Sequence, residues 1–482
     1  MDVTAWLYTH ALHREEPLTS ARIARFYVPL ALSWIFMAVE SPVCVSVLSR
    51  LATPELSTAA FNILMSVAIF IESPDIDLLS TSTTLARNRR DFAVLSRFVW
   101  ILMLVTAVAH GLFVFTPLFY WVTRHVMGIP EEVAHTARLG LALMLFWSPA
   151  IAWRRYRQGL LIRYHRTRMV GFGTAVRVSS MIVVNLVLYF ATRLPGIQIV
   201  AIALVTAVVA EALFVHWASR GVVRDHLTKD VPSVADTSEQ LPTQAEGAPM
   251  DLEPAVSPVG SMKRRALPSD VAAKPLDMRM LTTFHAPLVM TTMVALLGGP
   301  VVSAFLSKAP DPVLALASWQ VAFSLLWLFR TITFALPEVV ITLYKDEQTA
   351  RKLREFCINI GVVTTGIGVA AALLKLDVWF FRNVYESTPE TAAMAHLAFL
   401  AAAPMALLTA LQSYVRGMLT SHHMNVARFT AVTVGFGTLI GALALGLLTP
   451  WRGVLSGAVA MDIALLAELG VLAYSWRYGK RI

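Results

Sequence analysis

The chain has 482 residues, 56% hydrophobic and 15% charged, with a formal net charge of +9 and a mean hydropathy of +0.63. About a quarter of the residues in a soluble domain are charged, so an ordinary soluble enzyme or binding module is excluded. Many stretches reach the ~20 apolar residues that a membrane span requires, and the class is a polytopic, all-α integral membrane protein.

Residues 1–22 are expected to form a cytoplasmic N-terminal segment. His10, His13, Arg14, Glu15 and Glu16 leave no compact apolar core before a cleavage site, so no removable signal peptide is expected. Hydropathy places a first set of six helices at about 24–49, 55–85, 93–120, 134–163, 168–192 and 197–219. Residues 222–276 follow, rich in Pro, Ser, Thr, Ala and acids, with no apolar periodicity; they read as a flexible cytoplasmic linker. A second set of six is placed at about 278–307, 312–344, 354–381, 390–420, 427–448 and 452–476. The expected units are therefore 23–221 and 277–482, six helices each.

Twelve helices put both termini on one side. That side holds 30 of the Lys and Arg residues and the opposite loops hold 8, with Arg177 and Arg330 inside predicted spans. The excess assigns the termini and the linker to the cytoplasm. It also gives the +9 balance a bland origin, since nucleic-acid binding would need one basic solvent face. Cys44 and Cys357 fall in different helices, which argues against a disulfide or a metal cluster.

The two halves repeat each other. Shifted by about 258 residues, Pro29, Pro42, Pro54 and Ser66 fall on Pro287, Pro300, Pro312 and Ser324. Tyr156, Gly159 and His165 fall on Tyr414, Gly417 and His423. An even number of helices per half makes the repeats parallel about an axis along the membrane normal, and such repeats enclose a central site at their interface.

Ionisable residues inside spans face the bundle interior or a water-filled cavity. In "IFIESPDIDLLSTS" (69–82), Glu72 and Asp75 are three apart and share a face, and Pro74 is expected to kink the helix. Glu72 is the repeat equivalent of Arg330. Arg330 becomes a candidate for attracting an anionic group, with Glu72 and Asp75 as gate or proton-coupling candidates facing one cavity; otherwise Glu72 and Arg330 form a salt bridge locking the halves. Glu40, ahead of Pro42, is a candidate protonation site, and its equivalent Gly298 marks a flexible or closely packed point. Glu338, beside Pro337, is a candidate near the cytoplasmic end, within reach of Lys345. Arg177 either binds an anion or snorkels to the headgroups. Glu211, Asp462 and Glu468 read as interhelical partners, and Asp77 has the least support. The basic run "RRYRQGLLIRYHRTR" (154–168) reads first as a topology anchor on anionic lipid and second as an electrostatic funnel for anions.

No GxxxxGK[ST], HExxH or GxSxG pattern occurs, and no cofactor is expected. An enzyme is not the expected reading.

The segments "RFYVPLALS" (25–33), "IESPDIDLLSTSTTLARNRRDF" (71–92), "QGLLIRYHRTRMVGFGTAVRVSSMI" (158–182) and "YVRGMLTSHHMN" (414–425) resemble the MATE-like exporters and flippases. Within that superfamily they are most similar to the progressive ankylosis protein family, which is associated with export of pyrophosphate, ATP and citrate. The resemblance spans most of the chain outside the linker and the first twenty residues. It implies two parallel six-helix repeats and a monomeric secondary-active exporter of an organic or phosphate anion, working by alternating access with a proton or sodium as possible coupling ion. The motifs are diffuse and transfer no binding residue. The linker is longer than the family's and different, and the chain ends a few residues after its last helix. Three alternatives remain open: a MATE-type proton- or sodium-coupled cation or multidrug exporter, which the acids of "ESPDID" favour; a lipid-linked glycan flippase; and a scaffold that binds partners through 222–276.

Overall fold

The computed structural model describes residues 18–164, 166–227, 276–422, 424–449 and 453–479. Twelve helices are long and apolar enough to cross a bilayer. In the first half, α1 is Ser20–Ser49, and α2 is Pro54–Ile71 with its continuation through Leu78–Leu85. The remaining four are α3, Arg89–Phe115; α4, Glu131–Arg163; α5, Thr167–Ala191; and α6, Gly196–Leu227. In the second half, α7 is Met278–Leu306, α8 Pro312–Leu343, α9 Glu347–Leu373, α10 Pro389–Ser421, α11 Asn425–Gly446 and α12 Gly453–Tyr478. Trp100, Leu104, Phe190, Leu213 and Leu373 are exposed on outer faces, where a soluble protein would present polar groups. The protein is an all-α, multi-pass integral membrane protein.

Helices lie where hydropathy places them, with three differences. The predicted third and ninth helices each split, and short elements follow: Leu118–Tyr120 with Trp121–Val126, and Leu376–Asn383. α6 continues through Leu227, and both Leu227 and Leu276 are buried against α3 and α4, so the ends of the expected linker belong to the packed body. The rest of that linker, most of the N-terminal segment, and the His165/His423 match lie outside the described residues.

Proline positions set the breaks, because a proline cannot donate to the carbonyl four residues back. α1 breaks after Ala38, four before Pro42, and α7 after Leu296, four before Pro300. In α2, Pro74 frees the Phe70 carbonyl, and the Ser73 hydroxyl donates to it at 2.7 Å. In α8, Pro337 frees the Thr333 carbonyl, to which the Ser413 hydroxyl donates at 3.3 Å. Each break in the first half thus has a counterpart in the second.

Small residues set the close approaches. A Cβ on Gly159 of α4 would sit 1.8 Å from Ser82 Oγ and 2.7 Å from the Leu79 carbonyl of α2. Its counterpart Gly417 of α10 would meet Val340 Cβ of α8 at 2.7 Å. Gly159→Val is therefore expected to cost at least the ~1–3 kcal/mol of overpacking, read as a lower thermal midpoint of the purified protein. Ala207→Val, which also adds bulk in the core, provides the comparison.

The near end of each first repeat helix crosses to the opposite half. Ser20–Ala38 of α1 packs on α8 and α9, with the Tyr27 hydroxyl donating to the Ile332 carbonyl at 2.7 Å. Met278–Leu296 of α7 packs against α2 and α3, where His285 contacts the Pro74 carbonyl at 3.0 Å and Thr81 Oγ1 at 2.8 Å.

Candidate functional site

The halves meet along α2 and α8 at the face opposite the termini. There Asn62 Nδ2 donates to Gln320 Oε1 at 3.3 Å, a pair separated by 258 residues: repeat-equivalent side chains touch across the axis. Ser303 donates to Asn62 Oδ1 at 2.8 Å and Gln320 Nε2 to Ser41 Oγ at 3.2 Å, which extends the pair into a four-residue polar chain across the halves. Further out, Arg50 pairs with Glu386 at 3.1 Å and donates to the Val384 carbonyl at 2.8 Å. Glu55 accepts from Thr388 at 2.5 Å and Thr391 at 3.1 Å, and Ser307 donates to the Met127 carbonyl at 2.6 Å.

Toward the termini the direct α2–α8 bonding ends. Among the described residues, no hydrogen bond or ion pair joins Leu78–Leu85 to Leu336–Leu343; the first segment packs on α4 and the second on α10. α2 and α8 thus bond to each other only toward the far face; toward the termini the halves are joined instead by α1 on α8, through Tyr27, and by α7 on α2, through His285 and Thr292. The Arg50–Glu386 pair is partly exposed, a class worth about 0.2–1 kcal/mol. Arg50→Ala is expected to raise thiol-reagent labelling of a Ser41→Cys reporter up to several-fold, and unchanged labelling would show that the ion pair does not hold the seal.

Inside the first half lies a continuous buried polar cluster. Glu211 of α6 accepts from Arg154 at 2.7 Å and from Gln158 at 2.9 Å, both on α4 one turn apart. Arg177 of α5 lies 3.9 Å from Glu211 and pairs with Glu40 through contacts of 2.5 and 2.6 Å. Its guanidinium stands 5.7 Å from the ring centre of Trp147, whose indole N–H donates to Glu72. Three of the sequence candidates, Glu40, Glu72 and Arg177, are thus brought together.

Two sequence readings are corrected here. Arg177 does not snorkel: it is 7% exposed and engaged by carboxylates. The run beginning at Arg154 is not simply a headgroup anchor, because Arg154 and Arg157 are 3% and 8% exposed inside the helical body. Arg157 lies 4.5 Å from the Trp153 ring centre. Arg155, between them, has no ion pair or hydrogen bond among the described residues, and its Nε is buried without a partner. The charged groups around it are Arg154, Glu211, Glu72 and Arg177.

The second half holds the counterpart cluster with its residues exchanged. Arg416 donates to Glu468, and Gln412 donates to the Leu465 carbonyl at 2.9 Å. Arg154 and Gln158 of α4 correspond to Gln412 and Arg416 of α10, and Glu211 corresponds to Glu468 with the register one residue shorter. That change of register was the signal available in the sequence for the whole cluster.

Arg330 sits in this second half. Its Nε donates to Thr409 Oγ1 at 3.0 Å, and its guanidinium lies 5.8 and 5.7 Å from the ring centres of Trp327 and Phe334. No carboxylate is within ion-pair range of it among the described residues, and no ion pair joins it to Glu72. The salt bridge weighed from the repeat is absent, since each partner is held within its own half. Asp75 is fully buried, and both of its carboxylate oxygens lack a hydrogen-bond partner. Glu338 is exposed and makes no ion pair, with Lys345 or otherwise, among the described residues. Asp77, which had least support in the sequence, accepts from Thr292 of α7 at 2.7 Å.

Twelve spanning helices in two six-helix repeats are shared with solved structures of the MATE-like fold. Neither a family model nor a curated protein matches the sequence, but solved structures do. An inward-facing multidrug resistance MATE family transporter of the MOP superfamily aligns with a TM-score of 0.64 at 12% identity, covering 93% of this chain and 94% of the other. The lipid II flippase MurJ, in an inward closed conformation, gives 0.65 at 13% identity, covering 93% and 87%. A substituted form of the MATE transporter VcmN from Vibrio cholerae gives 0.58 at 13% identity, covering 96% and 98%.

Proposed function

We propose that this protein is a secondary-active, alternating-access exporter of a small organic or phosphate anion. Its substrate passes between the two halves, with both termini in the cytoplasm and the far face outside. The observation that carries the transport reading is the seal of α2 against α8 at Asn62–Gln320, combined with the absence, among the described residues, of a direct α2–α8 bond at their near ends. A second state needs the far-face contacts, from Asn62–Gln320 to Arg50–Glu386 and Glu55–Thr388, to open and the near ends of α2 and α8 to meet, with the α1 and α7 crossings rearranged.

The anionic reading is supported by two arginines left without a carboxylate partner among the described residues, set against the carboxylates of Asp75 and Glu338, which likewise form no ion pair there. Glu40, Glu211 and Glu468 are each engaged by an arginine, and Glu72 by Trp147. Arg155 and Arg330, one in each half, have no carboxylate within ion-pair range among the described residues. A guanidinium held by aromatic faces and one hydroxyl keeps donors free for a carboxylate or phosphate. In this reading Arg330 and Arg155 bind the substrate, while the Glu72–Trp147–Arg177–Glu40 chain carries the coupling ion. Asp75, beside Glu72, is a further carboxylate on that path, and Glu338 stands near the cytoplasmic end of α8. Pyrophosphate, ATP and citrate, the substrates implied by the progressive ankylosis resemblance, belong to the chemistry that two arginines would hold.

The cation-exporter alternative draws on Asp77, whose carboxylate is only partly buried. Comparing the metabolites outside cells with and without the protein tests the proposal: an anion enriched outside supports it, and an unchanged anion profile contradicts it.

A further inference from the structure

A cavity of about 620 Å³ opens between α5 and α6 on the outside of the first half, away from the cleft. Phe172, Val176, Ser179, Ser180, Phe214 and Trp217 line it, and Phe172 and Trp217 are more than half exposed. Its lining on α5 runs from Met169 to Ser180, about 16 Å of helix, close to the ~15 Å hydrocarbon depth of a single leaflet. The end nearest the termini is basic. Arg166 and Arg168 are exposed there, and Arg166 Nη1 lies 3.7 Å from where a Cβ on Gly221 of α6 would sit, so its guanidinium bridges the mouth.

The second repeat supplies a comparison within the same molecule. At the equivalent mouth between α11 and α12, Met424 and Val426 stand where Arg166 and Arg168 stand in the first. Val426 is 80% exposed and offers no charge. The basic mouth is therefore not a requirement of the fold.

We propose that this groove binds one anionic phospholipid, with an acyl chain against Phe172, Val176 and Phe214 and the headgroup phosphate on Arg166 and Arg168. Guanidinium forks match phosphate geometry, and basic pockets between helices select anionic headgroups. Trp217 borders the chain near the interface, where its amphipathic ring is suited to lie.

The test uses the full chain purified in detergent and mixed with equal amounts of dioleoylphosphatidylglycerol and dioleoylphosphatidylcholine, with retained lipid counted by native mass spectrometry. Phosphatidylglycerol is expected to be retained several-fold over phosphatidylcholine. In the Arg166→Gln/Arg168→Gln variant that preference should fall to parity. Ser179→Trp, which fills the groove and leaves both arginines, should also lower phosphatidylglycerol retention. Equal retention of the two lipids by the unmodified protein overturns the proposal. So does a preference that survives the double substitution or the filled groove.

Discussion

Arg154→Ala is expected to destabilise the protein by about 3–5 kcal/mol, the cost of removing one partner from a buried ion pair. The side chains of Arg154 and Glu211 are 4% and 0% exposed, so Glu211 would lose its 2.7 Å contact with no water to replace it. Gln158 at 2.9 Å and Arg177 at 3.9 Å hold the carboxylate in part, which places the effect toward the lower end of that range. The double variant Arg154→Met/Glu211→Leu is expected to recover most of the loss, because an apolar pair of similar volume removes the stranded charge. Thermal or denaturant unfolding in detergent measures both. A double variant no better than the single would mean that the cluster is needed for more than charge pairing.

The second large effect concerns Arg330. Its replacement by alanine is expected to remove one charged hydrogen-bonding contact to substrate, worth about 1.5–3 kcal/mol, or roughly a 10- to 100-fold rise in KM. Arg330→Lys should recover only part of this, because an ammonium lacks the planar fork. Thr409→Ala, which frees the guanidinium from its 3.0 Å hydroxyl contact, should have a smaller effect through positioning. Arg155→Gln is expected to match Arg330→Ala in direction. Purified protein in liposomes, assayed over a range of substrate concentrations, separates these outcomes.

Helix placement and the repeat were legible because both are written in local pattern. Apolar runs long enough to span, and prolines and glycines at a constant offset, need no knowledge of which way a helix faces. Side-chain partners do require it. Arg154, Arg155 and Arg157 adjoin the exposed Arg166 and Arg168, and in sequence they read as one border run. The structure separates them by about two turns of α4 and a change of helix.

Glu72 and Arg330 show the difference between equivalence and contact. Residues related by the repeat touch only where their helices cross near the axis. Asn62 and Gln320 are at that crossing. Ten residues later, about 15 Å along the helix, α2 and α8 have parted and each turns to its own half. Glu72 then finds Trp147, and Arg330 finds Thr409. The counterpart clusters were hidden for another reason: the register shortens by one residue before the last helix, so a fixed offset pairs Glu211 with Leu469 rather than Glu468.

The central claim is anion transport between the two halves. Its most direct test is flux of radiolabelled pyrophosphate and citrate across liposomes containing the purified protein, run beside a cationic dye. Saturable anion flux that Arg330→Ala reduces at least tenfold, with the dye excluded, is the predicted result. Dye flux without anion flux, or anion flux indifferent to both Arg330→Ala and Arg155→Gln, would contradict it.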